Sequence, residues 1–270
     1  MTPLLATAAE GAAEEGGLHF PSIGELVNWP ALFGEGTAFA FNKISIIVLL
    51  ATFLTLLLFF IAGSRGALVP RGVQNIVESS VDFIRDGIVL QTMGEEGLHK
   101  RWVMPFLTSL FWFILFCNIA GIVPPLLMPA SARMAIPLFL SLLVYVVFNV
   151  VGIKSQGPAY FKNALFPPGV PAALYILVTP IELVSTFLVR PFSLAVRLFA
   201  NTLAGHILLV TFGILAYETL QANLLIVPSI LASIMLLLMT GFEVMVAFLQ
   251  AYIFTILTAV YIGGAMHPEH

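Results

Sequence analysis

Two runs of this sequence carry side chains able to handle protons in an apolar setting. The first, from Pro191 to Leu209, holds Arg197, Asn201, Thr202 and His206 among mostly apolar residues. The second holds Thr240, Glu243, Gln250 and Tyr252 in an even longer apolar stretch. Arginine cannot shed its charge, because its pKa stays above ~12. At the centre of a membrane helix it costs at least ~3 kcal/mol on insertion scales. Histidine titrates near neutral pH, and a histidine beside a carboxylate can relay protons. A permanent cation close to a titratable pair therefore points to proton chemistry inside a membrane. Structural readings stand beside the functional ones. Arg197 could neutralise a buried carboxylate and only hold helices together, and His206 and Glu243 could form a static hydrogen bond between two helices.

Spacing sharpens this reading. At about 100° per residue on a helix, Arg190, Ser193, Arg197 and Asn201 fall on one stripe. Thr202 and His206 fall on the opposite one. Glu243 and Gln250 are two turns apart along one face. If the two runs form an antiparallel hairpin with Gln250 level with Arg197, Glu243 comes level with residue 204. His206 and Glu243 then lie together, roughly 10–13 Å to one side of Arg197. Glu182 falls on the other side, where it could be a helix cap, a partner for Arg190 or part of a proton path.

The elements that must position these residues are membrane helices. Of the 270 residues, 60% are hydrophobic and 9% charged. Soluble domains carry about a quarter charged residues. The composition predicts an all-α, polytopic membrane protein, and the net charge of −3 argues against a nucleic-acid partner. The single cysteine, Cys117, excludes an internal disulfide and a multi-cysteine zinc site, and it reads as a small apolar packing residue.

Residues 1–40 read as an acidic tail free of Lys and Arg. The tail lacks the basic start of a secretory signal, so the first membrane helix is expected to direct insertion. Residues 41–270 read as one membrane domain with about five spanning helices. The first covers 42–62. The segment 63–101 mixes charges with Val73, Ile76, Val77, Val81, Ile84 and Ile88 at helical spacing, which predicts an amphipathic helix at the membrane surface. Further spans are expected at 102–127 and 134–153, with a loop at 154–171. The apolar stretches 172–217 and 224–266 follow. Each would be roughly 60–70 Å long as a helix, so each must break or tilt steeply.

Five crossings put seven basic residues on one side: Arg65, Arg71, Arg85, Lys100, Arg101, Lys154 and Lys162. The bias of basic residues toward the cytoplasm then predicts an outer N-terminus and a cytoplasmic C-terminus. No internal repeat is evident, which removes one signature of secondary transporters.

Two runs carry a family resemblance. They are Arg190-Pro-Phe-Ser-Leu-Ala-Val-Arg-Leu-Phe-Ala-Asn-Thr-Leu-Ala-Gly-His206 and Leu249-Gln-Ala-Tyr-Ile-Phe-Thr-Ile-Leu-Thr-Ala-Val-Tyr261. Together they resemble the subunit a family of F-type ATP synthases, and the likeness extends over the chain from Phe41. The resemblance implies a stator subunit in a bacterial plasma membrane, not itself catalytic for ATP and without a cofactor. Its implied partners are a c-ring proteolipid oligomer, a peripheral stalk subunit b, the rest of the synthase and the lipid bilayer. It implies that Arg197 separates two offset half-channels leading to the ring carboxylates. It also implies a proton pathway through His206, Glu243, Gln250, Asn201, Glu182 and Asn118. Some relatives carry the acid first and the histidine second; here the order is His206 then Glu243. Many bacterial relatives have an aspartate where Gly121 stands, so His206, Glu243 and Asn118 would carry more of the inlet here. The rival readings are a proton-coupled secondary transporter or channel, and a membrane scaffold.

Overall fold

A mostly apolar run from Ile44 to Ile61 builds the first helix, α1 (Lys43–Arg65). Asn42 caps it, its side-chain oxygen accepting the Ser45 backbone N–H at 3.2 Å. The computed structural model describes residues 42–65, 71–123, 126, 128–157, 159–166, 174–221 and 226–266, and the acidic tail 1–40 lies outside them. Among these residues every regular element is a helix.

The amphipathic segment is three joined pieces: α2 (Val73–Ile84), a π-helical turn (Arg85–Val89) and α3 (Leu90–His99). Its apolar face is buried through Val77, Ile84, Ile88, Val89 and Met93. Glu78, Asp82, Arg85 and Asp86 are exposed on the other face. Arg85 pairs with Asp86 at 2.8 Å and Asp82 at 3.4 Å, but exposed ion pairs of this kind add little stability. The buried face packs on other helices of the chain. Phe83 meets Tyr252 with ring centroids 5.5 Å apart, and Trp112 Nε1 donates to Ser80 Oγ at 3.0 Å.

The next span, α4 (Val103–Ile119), ends eight residues before the expected Leu127. Residues 120–123 leave it in turns, and Pro124 and Pro125 offer no N–H to continue a helix. A 3₁₀ turn (Ala130–Ala132) then folds into the bundle, fully buried, ahead of α5 (Ala135–Gln156). The expected loop from Lys154 is shorter than the sequence suggests. Lys154 to Gln156 prolong α5, Gly157 closes it with φ +63°, and a short helix α6 (Ala159–Leu165) follows. Tyr160 anchors α6 by burying its ring against α5 at Gly152.

The last third has the long helices expected of it. α7 (Tyr175–Val184) runs through a π-helical turn (Ser185–Val189) into α8 (Arg190–Gln221). Pro191 explains the π turn, since it cannot donate back and the turn before it relaxes. Its carbonyl instead accepts Ser141 Oγ from α5. The final helix, α9 (Ile226–Met266), has 41 residues, or about 60 Å at ~1.5 Å per residue. That is twice a ~30 Å hydrocarbon core, so α9 must tilt or lie partly in the membrane plane. Helices α8 and α9 make the most extensive pairing among the described residues.

One core joins the amphipathic segment to α4, α5, α8 and α9 through Ile84, Ile88, Leu107, Ile114, Val144, Leu198, Phe254 and Ile262. A smaller cluster holds α1 to α4 through Ile44, Ile47, Ala51, Cys117, Met128 and Ala130. Among the described residues four helices are long and apolar enough to cross a membrane, and α4 is a shorter apolar fifth. Large apolar side chains such as Leu56, Phe60, Phe139, Leu177 and Leu237 remain exposed on them. Apolar exposure on this scale is what a bilayer covers. The chain is a multi-pass membrane protein.

Candidate functional site

The hairpin of α8 and α9 positions the polar residues. Two contacts fix its antiparallel register. Asn201 Nδ2 donates to Gln250 Oε1 at 3.0 Å. Four residues further along α8, Gly205 faces the Glu243 carboxylate so closely that an added Cβ would strike its Oε2. The expected register put Glu243 opposite residue 204 and Gln250 opposite Arg197. Glu243 sits one position from that, and Gln250 bonds Asn201, one helical turn beyond Arg197.

Burial separates the two stripes of α8. Thr202 and His206 turn inward, and Thr202 Oγ1 donates to its own helix at Leu198 O, 2.7 Å away. Arg197 and Asn201 are exposed, together with Ala200, Ala204 and Leu208 on the same side. Among the described residues no ion pair or hydrogen bond reaches Arg197. Arg190, on the same stripe, differs in its surroundings: it is half-buried, its guanidinium 5.6 Å from the Tyr261 ring centroid. One membrane arginine is thus held by an aromatic face of its own chain, and the other is not.

His206 is 5% exposed, Glu243 7% and Gln250 2%. Among the described residues no hydrogen bond or ion pair within 4.0 Å links His206 to Glu243. Gln250 Oε1 is satisfied by Asn201, while its Nε2 is buried without a partner among the described residues. Polar bonds between membrane helices average only about 0.6 kcal/mol. The Asn201–Gln250 bond therefore matters for orientation more than for stability.

The remaining candidates lie apart from this group. Glu182 is half-buried on α7, where its Oε1 accepts Thr186 Oγ1 at 3.3 Å across the start of the π turn. Asn118 is buried near the end of α4, its Oδ1 accepting Ser131 Oγ at 2.8 Å. The Gly121 position is closed. An added Cβ there would lie 2.8 Å from Pro129, so a larger residue would have to displace the loop.

Two participants were not legible in the sequence. Gly205 provides the seat for Glu243, and its only signal was a glycine beside His206 near the level expected for Glu243. Ser131 bonds Asn118 from a turn with no regular period, and nothing in the spacing pointed to it.

Comparison with known proteins covers nearly the whole chain. The family described as ATP synthase A chain matches residues 44–263. ATP synthase subunit a of Rhodococcus erythropolis is 42% identical over 265 residues, covering 96% of this chain and 93% of its own length. The Frankia alni protein of that name is 43% identical over 85% of this chain and 79% of its own length. That of Pseudarthrobacter chlorophenolicus is 36% identical over 96% and 97%.

Proposed function

The chain belongs to the ATP synthase A chain family, and from that premise we propose that it is the proton-conducting stator, working on a ring of small proteolipids through two offset half-channels. As a member of that family it is a membrane-sector subunit of an ATP synthase, with the rest of that complex as its partners. The half-channels, the ring and the residue roles below are the proposal.

The observation that carries it is Arg197, exposed on a membrane helix and without a hydrogen bond or ion pair among the described residues. A guanidinium left facing hydrocarbon is costly, so a partner of opposite charge from another chain is expected on that face. Ala200 and Ala204, exposed beside it, would let a neighbouring helix approach closely. A membrane carboxylate on a rotor helix meets both requirements. Arg197 attracts each arriving carboxylate and favours its ionised form. It also bars protons from passing straight between the two half-channels. Asn201 and Gln250 hold the local geometry around it.

Protons enter from the outer side past Asn118, Glu243 and His206 and neutralise a ring carboxylate. A neutral carboxyl can turn into lipid, whereas a charged one cannot do so cheaply. On return toward Arg197 it loses the proton, which leaves past Glu182 to the cytoplasm. One proton crossing ~100 mV releases about 2.3 kcal/mol, so a ring that sums several steps per ATP is needed. The outer N-terminus and cytoplasmic C-terminus inferred from the basic residues suit this direction. The exposed acidic side of α2 and α3 leaves room for a peripheral stalk subunit b.

Gentle detergent extraction of the complex tests the reading. The chain is expected to co-purify with an oligomer of a small two-helix proteolipid. Recovery of a folded, active transporter free of any such oligomer would instead favour the secondary-transporter reading.

A further inference from the structure

Arg197 sits between two contacts that join α8 to α9. Asn201, four residues after it, donates to Gln250 at 3.0 Å. Arg190, seven residues before it, holds its guanidinium over the Tyr261 ring, 5.6 Å from the centroid. Residues 190 and 201 are eleven apart, and so are 250 and 261. Eleven residues are close to three helical turns, so on each helix the two contacts lie on one face, about 16 Å apart. Both belong to one antiparallel register. In that register Arg197 lies level with Phe254, which is buried on α9 and offers neither carboxylate nor amide.

The Arg190–Tyr261 contact is itself braced. Tyr261 packs on buried Phe148 of α5, with ring centroids 6.0 Å apart. The Pro191 carbonyl, next to Arg190, accepts Ser141 Oγ from the same helix. Phe187, in the π turn just before Arg190, stacks on Phe161 of α6 with centroids 6.1 Å apart. The Asn201–Gln250 bond alone is a single point about which α8 could roll. A roll by one residue's angle, about 100°, would carry Arg197 from the exposed face toward the buried one that Leu198 occupies. A second contact three turns away opposes that roll. An arginine within ~6 Å of a tyrosine ring centroid is held by the charge distribution of the ring face.

We propose that Arg190 and Tyr261 are positioning residues: their contact, in register with the Asn201–Gln250 bond, holds α8 so that the Arg197 guanidinium stays turned out of the chain. In this role neither side chain touches a ring carboxylate or carries a proton. The proposal rests on the half-channel reading above, which gives Arg197 its task.

The test uses the assembled synthase, with one cysteine beside the ring carboxylate and a second on α8, at exposed Ala200 or buried Leu198. In the otherwise unchanged chain, disulfide trapping is expected from Ala200→Cys in preference to Leu198→Cys. Tyr261→Leu removes the ring face. It is expected to lower that preference about fivefold, the factor corresponding to ~1 kcal/mol of cation–π attraction, with ATP synthesis per assembled complex falling alongside it. Tyr261→Phe keeps the ring face and is expected to retain most of both. A contact that only stabilised the fold would lower the yield of complex and leave the preference as it was. An unchanged preference in Tyr261→Leu, or an equal loss in Tyr261→Phe, would overturn the proposal. If Tyr261→Leu does not assemble, Arg190→Gln is read in its place. Failure of both to assemble would also overturn it, because the contact would then serve folding. The two ideas fail separately. An unchanged preference in Tyr261→Leu removes only the positioning contact, whereas no trapping from any exposed position of α8 in the otherwise unchanged chain removes the rotor reading itself.

Discussion

Arg197→Ala is expected to abolish proton-driven ATP synthesis in a complex that still assembles. The exposed guanidinium supports nothing inside its own chain: among the described residues no carboxylate, amide or ring of the same chain engages it. Its removal should therefore leave the fold intact, and should relieve an insertion cost of at least ~3 kcal/mol. A residue kept against that cost and without a structural partner acts on something outside the chain. In the variant the ring carboxylate would lose its attracting cation, and the two half-channels would lose the barrier between them. The expected measurements are synthesis at background and a passive proton leak above that of the wild-type sector. Arg197→Lys should not rescue, because a lysine can deprotonate when buried and an arginine cannot. Near-normal synthesis in Arg197→Ala would end the scheme.

The second large effect concerns His206 and Glu243. Removing either, as His206→Ala or Glu243→Ala, is expected to slow proton flux on the order of a hundredfold, the usual contribution of a positioned acid–base group. Exchanging them, as His206→Glu with Glu243→His, should recover part of the flux. The pair sits at one level of the hairpin, because Glu243 rests on Gly205, the neighbour of His206. Either order of acid and imidazole would then place the same two groups at that level. Gly205 constrains the outcome. A Cβ there would strike the residue-243 side chain, so Gly205→Ala should abolish the rescue while the exchanged pair is still present. Flux measured in sealed vesicles at matched complex content decides this. An exchange no better than the single variants would count against their cooperation.

Much of this arrangement was legible before any coordinates. The apolar runs located α1, α5 and the long final helices, because a bilayer demands length and hydrophobicity whatever the tertiary context. Helical periodicity put Arg197 and Asn201 on one side of α8 and Thr202 and His206 on the other, and their burial follows that division. The same periodicity did not foresee that Arg190, on the stripe of Arg197, would be half-buried over the Tyr261 ring, because that partner comes from another helix. The early end of α4 and the helix at Ala159–Leu165 were also missed. The first reflects turns at 120–123 that leave the helix ahead of Pro124 and Pro125, and the second depends on a contact from outside the segment, Tyr160 packing on Gly152. Ser131 meets Asn118 across a loop of irregular backbone, where no period exists to be read. Side chains on regular helices could be placed from their spacing. Those brought in by turns could not.

The central claim is that the Arg197 face of α8 meets the carboxylate-bearing helix of a rotor. Disulfide trapping in the assembled complex tests this most directly, with one cysteine beside the ring carboxylate and its partner walked along α8. Trapping is expected from Asn201→Cys and Arg197→Cys, on the exposed stripe, and not from Leu198→Cys or Thr202→Cys, whose side chains are buried within the chain. Trapping from 198 or 202 with none from 197 or 201 would contradict the account.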